Sequence, residues 1–300
     1  MTLRRAVSPG PRWLLENPPA FGVHFTTTMD QESSSPPGRY DRQTAFEGLR
    51  REGQRRLAGG RAMIVGVGGL GCTVAQWLAR AGVGLLRLVD DDVVSLENLH
   101  RQILFDEADA AARRPKVVAA ARRLGRINSD VRIEPVAARF DASTASGLID
   151  GIDVICDGTD NFAARFVIND VAVSGNLPWV FAGVVGAEAQ TMTIRAGGRP
   201  CLRCVFGEPP PAPVNPTCRT AGVLGPAVGA IASVEALEAL KILAGRGGEG
   251  SAYLVKLDLW TNTVRRIDTV AACADVDCPC CVGRHFEFLD GDAQPVDGLQ

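Results

Sequence analysis

Apolar positions along this chain switch repeatedly between strand-like runs and helix-like stripes. Arg61–Val65 is a nearly continuous apolar run, the pattern of a strand buried on both faces of a parallel sheet. A helix is predicted over 71–82, where Val74, Trp77 and Leu78 fall at i, i+3 and i+4 on one face. Leu85–Val89 reads as the next strand, with Asp90 at its end. Pro115 opens a helix running to about Ile127, a place where its missing N–H does no harm. Strands are expected at 131–136, 152–155 and 179–182, with helical stretches at 41–57, near 142–149 and at 162–174. The alternation predicts an α/β fold with a Rossmann-like, doubly wound, mostly parallel sheet.

The second half changes character. Strands are expected at 189–195 and 253–266, the latter turning near Thr261 and Asn262, so antiparallel strands should extend the sheet. Residues 207–216 carry too much proline for a regular helix or a central strand. Residues 226–243 are strongly helical, and Glu235, Glu238 and Lys241 recur every third position. So narrow a polar stripe buries most of that helix against the sheet or a second subunit.

With 300 residues and 46% hydrophobic content, the chain can form a substantial core. A net charge of −2 and a pI near 6.0 give no reason to expect nucleic-acid binding, and no apolar run predicts a membrane span. Nine cysteines, four of them in two Cys-x-x-Cys pairs, fit a reducing cytoplasm rather than a secreted disulfide framework. Residues 1–37 are rich in Pro, Ser and Thr and read as a disordered tail or an overextended gene start, with Met29 as the alternative start. Residues 38–284 form the expected folded domain and 285–300 a C-terminal tail.

The chemistry starts at Gly66, Gly68 and Gly71, spaced G-x-G-x-x-G between a predicted strand and a predicted helix. Asp90, 24 residues past Gly66, can accept hydrogen bonds from ribose hydroxyls. Taken alone, these features describe a nucleotide site, and an NAD(P)-dependent oxidoreductase would be the default. No G-x-x-x-x-G-K-[ST] loop occurs. Yet Asp92, Asn98, Arg101, Gln102, Lys116, Asp160 and Asn161 follow, a set that hydride transfer does not need and a triphosphate with Mg²⁺ does. The only lysines are Lys116, Lys241 and Lys256, which makes a lysine in a phosphate site more telling. The plain alternative pairs Arg101 and Lys116 with surface carboxylates such as Asp106 or Glu107. A binding scaffold that has lost turnover is a third reading.

Arg39-Tyr40-Asp41-Arg42-Gln43, the glycine run ending at Cys72, and Asn98-Leu99-His100-Arg101-Gln102 resemble the ThiF/MoeB/HesA adenylyltransferases, relatives of the ubiquitin-activating enzymes. Pro115-Lys116, Thr159-Asp160-Asn161 and Thr217–Gly222 match as well, so the likeness spans about 39–283. The resemblance implies that the Gly-Gly carboxylate of a small ubiquitin-like sulfur carrier attacks the α-phosphate of ATP. Gly69 and Asp90 would hold the nucleotide, Asn98, Arg101 and Lys116 its phosphates, and Asp160 the Mg²⁺. Arg42 would arrive from the partner subunit of a homodimer. The thiamine branch is the closer match, with the molybdopterin branch open, and a cysteine desulfurase or rhodanese would be a separate sulfur donor. One departure is visible: Arg113 stands where many members carry glycine.

Cys201, Cys204, Cys278 and Cys281 form two Cys-x-x-Cys knuckles, which suit a structural Zn²⁺ with no open coordination position. A redox pair and ordinary buried thiols compete with zinc for either pair alone; two pairs, matched by the family, favour zinc, with Cys280 as a substitute ligand. Cys218 lies in what the family has as a crossover loop, where some relatives link covalently to the carrier; an exposed, dispensable thiol is the alternative. Cys72 and Cys156 read as small buried residues, and none of the histidines is assigned a catalytic role.

Overall fold

β1 (Arg61–Val65), β2 (Leu85–Val89), β3 (Arg132–Val136), β4 (Val154–Asp157), β5 (Trp179–Val185), β6 (Glu188–Ile194), β7 (Tyr253–Asp258) and β8 (Thr263–Asp268) form one sheet in the order β3-β2-β1-β4-β5-β6-β7-β8. This computed structural model describes residues 38–209, 221–247 and 253–290. The expected N-terminal tail, Cys218 and the last ten residues lie outside the described residues. Pairing is parallel from β3 through β5 and antiparallel from β5 through β8. The α/β class and the antiparallel extension are as the sequence predicts.

The helices are α1 (Asp41–Thr44), α2 (Arg50–Gly59), α3 (Gly69–Ala81), α4 (Glu107–Ala111), α5 (Lys116–Ile127), α6 (Ala142–Leu148), α7 (Phe162–Ser174), α8 (Leu202–Phe206), α9 (Gly225–Leu243), α10 (Thr269–Ala272) and α11 (Glu287–Asp290). Their ends have local causes. Gly82 closes α3 in a left-handed conformation, Asp141 and Thr144 form a capping box on α6, and the Asn161 carboxamide accepts the Ala164 amide at the start of α7. Pro115 caps α5 and Pro226 sits in the first turn of α9.

Two apolar clusters flank the sheet. One joins α3, α5 and α9 through Val74, Leu78, Val117, Leu124 and Ile231; the other joins α7 to the opposite face through Phe166, Ile168, Trp179 and Phe181. Each fully buried side chain of this size contributes roughly 1.5–3 kcal/mol. Helix α11 belongs to the second cluster, with the Phe288 ring 4.9 Å from that of Phe166. No described helix is long and apolar enough to cross a membrane.

Two expectations need correction. The helix over 41–57 is two helices, because the chain turns at 45–49 and Arg50 takes a left-handed φ of 55°. Glu235 is not part of an exposed polar stripe. It is fully buried, and its carboxyl oxygens have no hydrogen-bond partner among the described residues.

Candidate active site

The strand order reverses direction between β1 and β4, and the crevice beyond their carboxyl ends is where ligands enter this class of sheet. The glycine turn leaves β1 there. Gly66 has φ 85°, and a Cβ on it would lie 2.8 Å from the Gly158 backbone. A Cβ on Gly71 would lie only 1.9 Å from the Gly66 carbonyl, so both positions require glycine. The turn opens α3, whose N-terminal amides face the crevice. A cavity of about 1140 Å³ fills this edge, lined by Gly66, Gly68 and Gly69 at one side and Asp160 and Asn161 at another.

Asp90, at the end of β2, braces the turn: its carboxylate accepts the Val67 amide at 2.6 Å and the Asp92 amide at 2.8 Å. Burial pushes the Asp90 carboxyl above the usual carboxylate range, and Lys116 and those two amides pull it back. Lys116 is itself buried, with Nζ 2.7 Å from Asp92 and 3.9 Å from Asp90. Lys116 thus pairs with an exposed carboxylate, as the plain alternative has it, but with Asp92 rather than Asp106 or Glu107. Asp106 caps α4 instead.

Arg101 donates to the Asn98 carboxamide at 2.7 Å and lies 2.8 Å from the His100 ring. It makes no ion pair with Asp106 or Glu107 either. Arg101, Asn98, Gln102, Asp92 and His100 all line the cavity. Gln102 is 3% exposed and its carbonyl oxygen has no partner among the described residues. Asp160 is exposed at the cavity and makes no hydrogen bond among the described residues, whereas the Asn161 carboxamide is committed to capping α7. Arg42 is exposed on α1 and does not line the cavity.

Sequence reasoning missed Arg165 and Asp157. Arg165 is buried in α7 and donates to the Asp157 carboxylate at 2.8 Å, to the Thr159 carbonyl at 2.8 Å and to the Ala182 carbonyl at 3.0 Å. It thereby fixes the loop from β4 that carries Asp160. Asp157 also accepts the Thr159 hydroxyl at 2.6 Å. The available signal was an arginine in a predominantly apolar helix, where burial demands a counter-charge. Arg139 and Phe140 line the cavity as well, and no motif marked them.

Comparison with known proteins identifies the family and the fold. The ThiF family matches residues 40–280. The chain belongs to the ThiF family. A sulfur carrier protein ThiS adenylyltransferase of Bacillus subtilis is 38% identical over 257 residues, covering 86% of this chain and 75% of that one. A molybdopterin-synthase adenylyltransferase of Escherichia coli is 41% identical over 234 residues, covering 76% and 91%. An adenylyltransferase and sulfurtransferase MOCS3 of Sus scrofa is 44% identical over 229 residues, covering 76% of this chain and 50% of its own length. This ThiF-family chain thus spans about half of that relative. The fold is shared with a crystal structure of E. coli MccB, at TM-score 0.69 and 20% identity over 79% of this chain and 71% of the other.

The ThiF-family chain also gathers its two cysteine knuckles. Sγ atoms of Cys201, Cys204, Cys278 and Cys281 all lie within 4.8 Å of one another, with closest separations of 3.4, 3.6 and 3.9 Å. Four thiolates about 2.3 Å from a central ion would be spaced about 3.8 Å apart, so the set fits a tetrahedral metal. Cys280 is not needed: its sulfur lies 3.2 Å from the Asn169 carboxamide nitrogen. Cys72 and Cys156 are fully buried, as expected, and burial pushes the Cys72 thiol up to about 12.

Proposed function

We propose that this protein adenylylates the C-terminal Gly-Gly carboxylate of a small ubiquitin-like sulfur carrier with ATP. The observation that carries the reading is one cavity beyond a glycine turn. It holds Arg101, Lys116 and Asp160, whose carboxylate has no partner among the described residues. The relatives' names, two of which specify a sulfur carrier or molybdopterin synthase as the target, support the same reading over an oxidoreductase.

In the reaction, a carrier carboxylate oxygen bonds to the α-phosphorus and the bond to the β-phosphate oxygen breaks, releasing pyrophosphate. The protein contributes position and charge rather than a covalent nucleophile. Lys116 and Arg101, each about 4 Å from a phosphate oxygen, would each contribute roughly 4 kcal/mol at an effective dielectric of 20, before desolvation. Asp90 receives the ribose hydroxyls and Asn98 orients Arg101. Asp160 would hold Mg²⁺, which supplies neutralisation of the leaving pyrophosphate. The protein acts as a homodimer in which Arg42 enters the site of the second copy. The exposed Trp77 and Leu237 on α3 and α9 offer apolar surface for that contact. Cys201, Cys204, Cys278 and Cys281 would hold a structural Zn²⁺, with four thiolates leaving no position open to substrates.

The deciding measurement is ATP–pyrophosphate exchange dependent on a carrier ending in Gly-Gly. Replacing Lys116 or Asp160 by Ala should lower the exchange rate by about 10²–10³. Unchanged exchange in both variants would mean the site is misassigned, and tight NADH binding without exchange would sink the reaction class.

A further inference from the structure

The antiparallel extension of the sheet carries two cations that have no ion-pair partner among the described residues. Lys256 on β7 stands directly opposite Arg265 on β8, and opposite Gln190 on β6. Gln190 in turn faces Gly183 on β5, so Gly183, Gln190, Lys256 and Arg265 form one row across the same face. Like charges directly opposite on antiparallel strands repel and destabilise the pair. Neither Lys256 nor Arg265 has an ion-pair or hydrogen-bond partner among the described residues. The nearest acids form the adjacent row: Glu188, which is unpaired, and Asp258, whose carboxylate is taken by the Trp260 and Thr261 amides and the Thr261 hydroxyl.

Three of the row's four members belong to the cavity, and Arg265 stands one strand beyond Lys256. Gly183, Gln190 and Lys256 line the same cavity as Arg101, Lys116 and Asp160. The nucleotide-binding groups sit at the ends of β1, β2 and β4, so the lysine end of the cavity is left for the second substrate. Lys256 is two strand spacings, or about 10 Å, from Gly183, a length that three or four residues of extended chain would cover.

Resting on the adenylylation reading, we propose that Lys256 and Arg265 form a subsite for an acidic side chain in the polypeptide substrate, a few residues upstream of its terminal glycines. An acid there supplies the missing counter-charge and fixes how far the tail reaches towards the α-phosphate. The subsite therefore selects among polypeptides that all end in Gly-Gly.

The test uses the full chain with Mg²⁺ and a non-hydrolysable ATP analogue. Its probes are synthetic fluorescent peptides ending in Gly-Gly, with a single Glu or Lys moved along the preceding positions, and binding is read by anisotropy. A Glu at one position should tighten binding about fivefold over Lys at that position, the scale of one exposed ion pair. Lys256→Glu should reverse the preference and leave affinity for the ATP analogue unchanged. Arg265→Glu should also weaken the acidic peptide while raising the thermal midpoint, because it turns the repulsive pair into an attractive one. Equal binding of Glu and Lys peptides, or a preference untouched by Lys256→Glu, overturns the proposal, as does weakened binding of the ATP analogue in that variant. Failure of every peptide to bind while a carrier still drives pyrophosphate exchange overturns the subsite alone. Absence of exchange overturns the parent reading with it.

Discussion

Arg113 is where one residue departs from what its backbone asks for. It holds φ at 45°, in the left-handed region, just before the Arg114-Pro115-Lys116 segment that brings Lys116 to the cavity. That conformation costs a residue with a Cβ roughly 1–2 kcal/mol, partly offset by the greater unfolded-state freedom of glycine. Arg113→Gly should therefore raise stability by about 0.5–1 kcal/mol, and Arg113→Val should lower it, as read from urea unfolding midpoints. A glycine variant less stable than the parent would contradict this account. The sequence already marked this position against its relatives, and the structure gives the reason. Asp90, Lys116 and Asp160 were legible for a related cause: each follows a strand end or opens a helix at the ligand-binding edge. Arg165 was not, because its role depends on a carboxylate eight residues away across a turn, and no period in the sequence reports that pairing.

At the scale of elements, the parallel strands and the long helices after β1 were legible to within a few residues, because their apolar runs cover at least one full face. The short helices α4, α8, α10 and α11 span too few turns to establish a period. Helix α9 shows a subtler failure. Residues three apart are about 300° apart around a helix, so a stripe at that spacing drifts by about 60° per step. Glu235 is thus about 120° round from Lys241, far enough to face β4 while Glu238 and Lys241 pair with each other. Burial, and then the nearby Asp157 carboxylate, push the Glu235 carboxyl well above the usual range, with Arg165 only partly offsetting them. The native state therefore keeps a proton that the unfolded chain releases in the ordinary glutamate range. The stability this contributes is complete at low pH and is lost as pH rises towards the folded-state value. Glu235→Gln should flatten that loss, so its melting temperature should gain on the parent's as pH is raised from about 5 to about 9. Parallel melting curves across that range would show that Glu235 is ionised in the native protein.

For the whole molecule, a parallel α/β sheet was readable from the alternation of elements, whereas the strand order was not, since it depends on which crossovers pack where. The placement of Arg42 gives a test at this scale. It is exposed on α1 and outside its own chain's cavity, and in the proposed homodimer two defective chains should repair each other. Mixing the Arg42→Ala variant with the Lys116→Ala variant should recover up to about a quarter of parent exchange activity, because random pairing yields one intact site in half of the dimers. Activity no greater than the mean of the two separate variants would place Arg42 outside the shared site.

The change of strand direction at β5–β6 also has an evolutionary reading. Every strand end that shapes the glycine turn and its charges lies on the parallel side, while β7 and β8 hang from β6 at the far margin. A hairpin so attached can be exchanged for a relative's without moving the edge where ATP is split. On the proposed subsite, altering that one margin of the sheet would change the polypeptide substrate, and a chimera carrying a foreign β7–β8 hairpin is the natural way to redirect this chain.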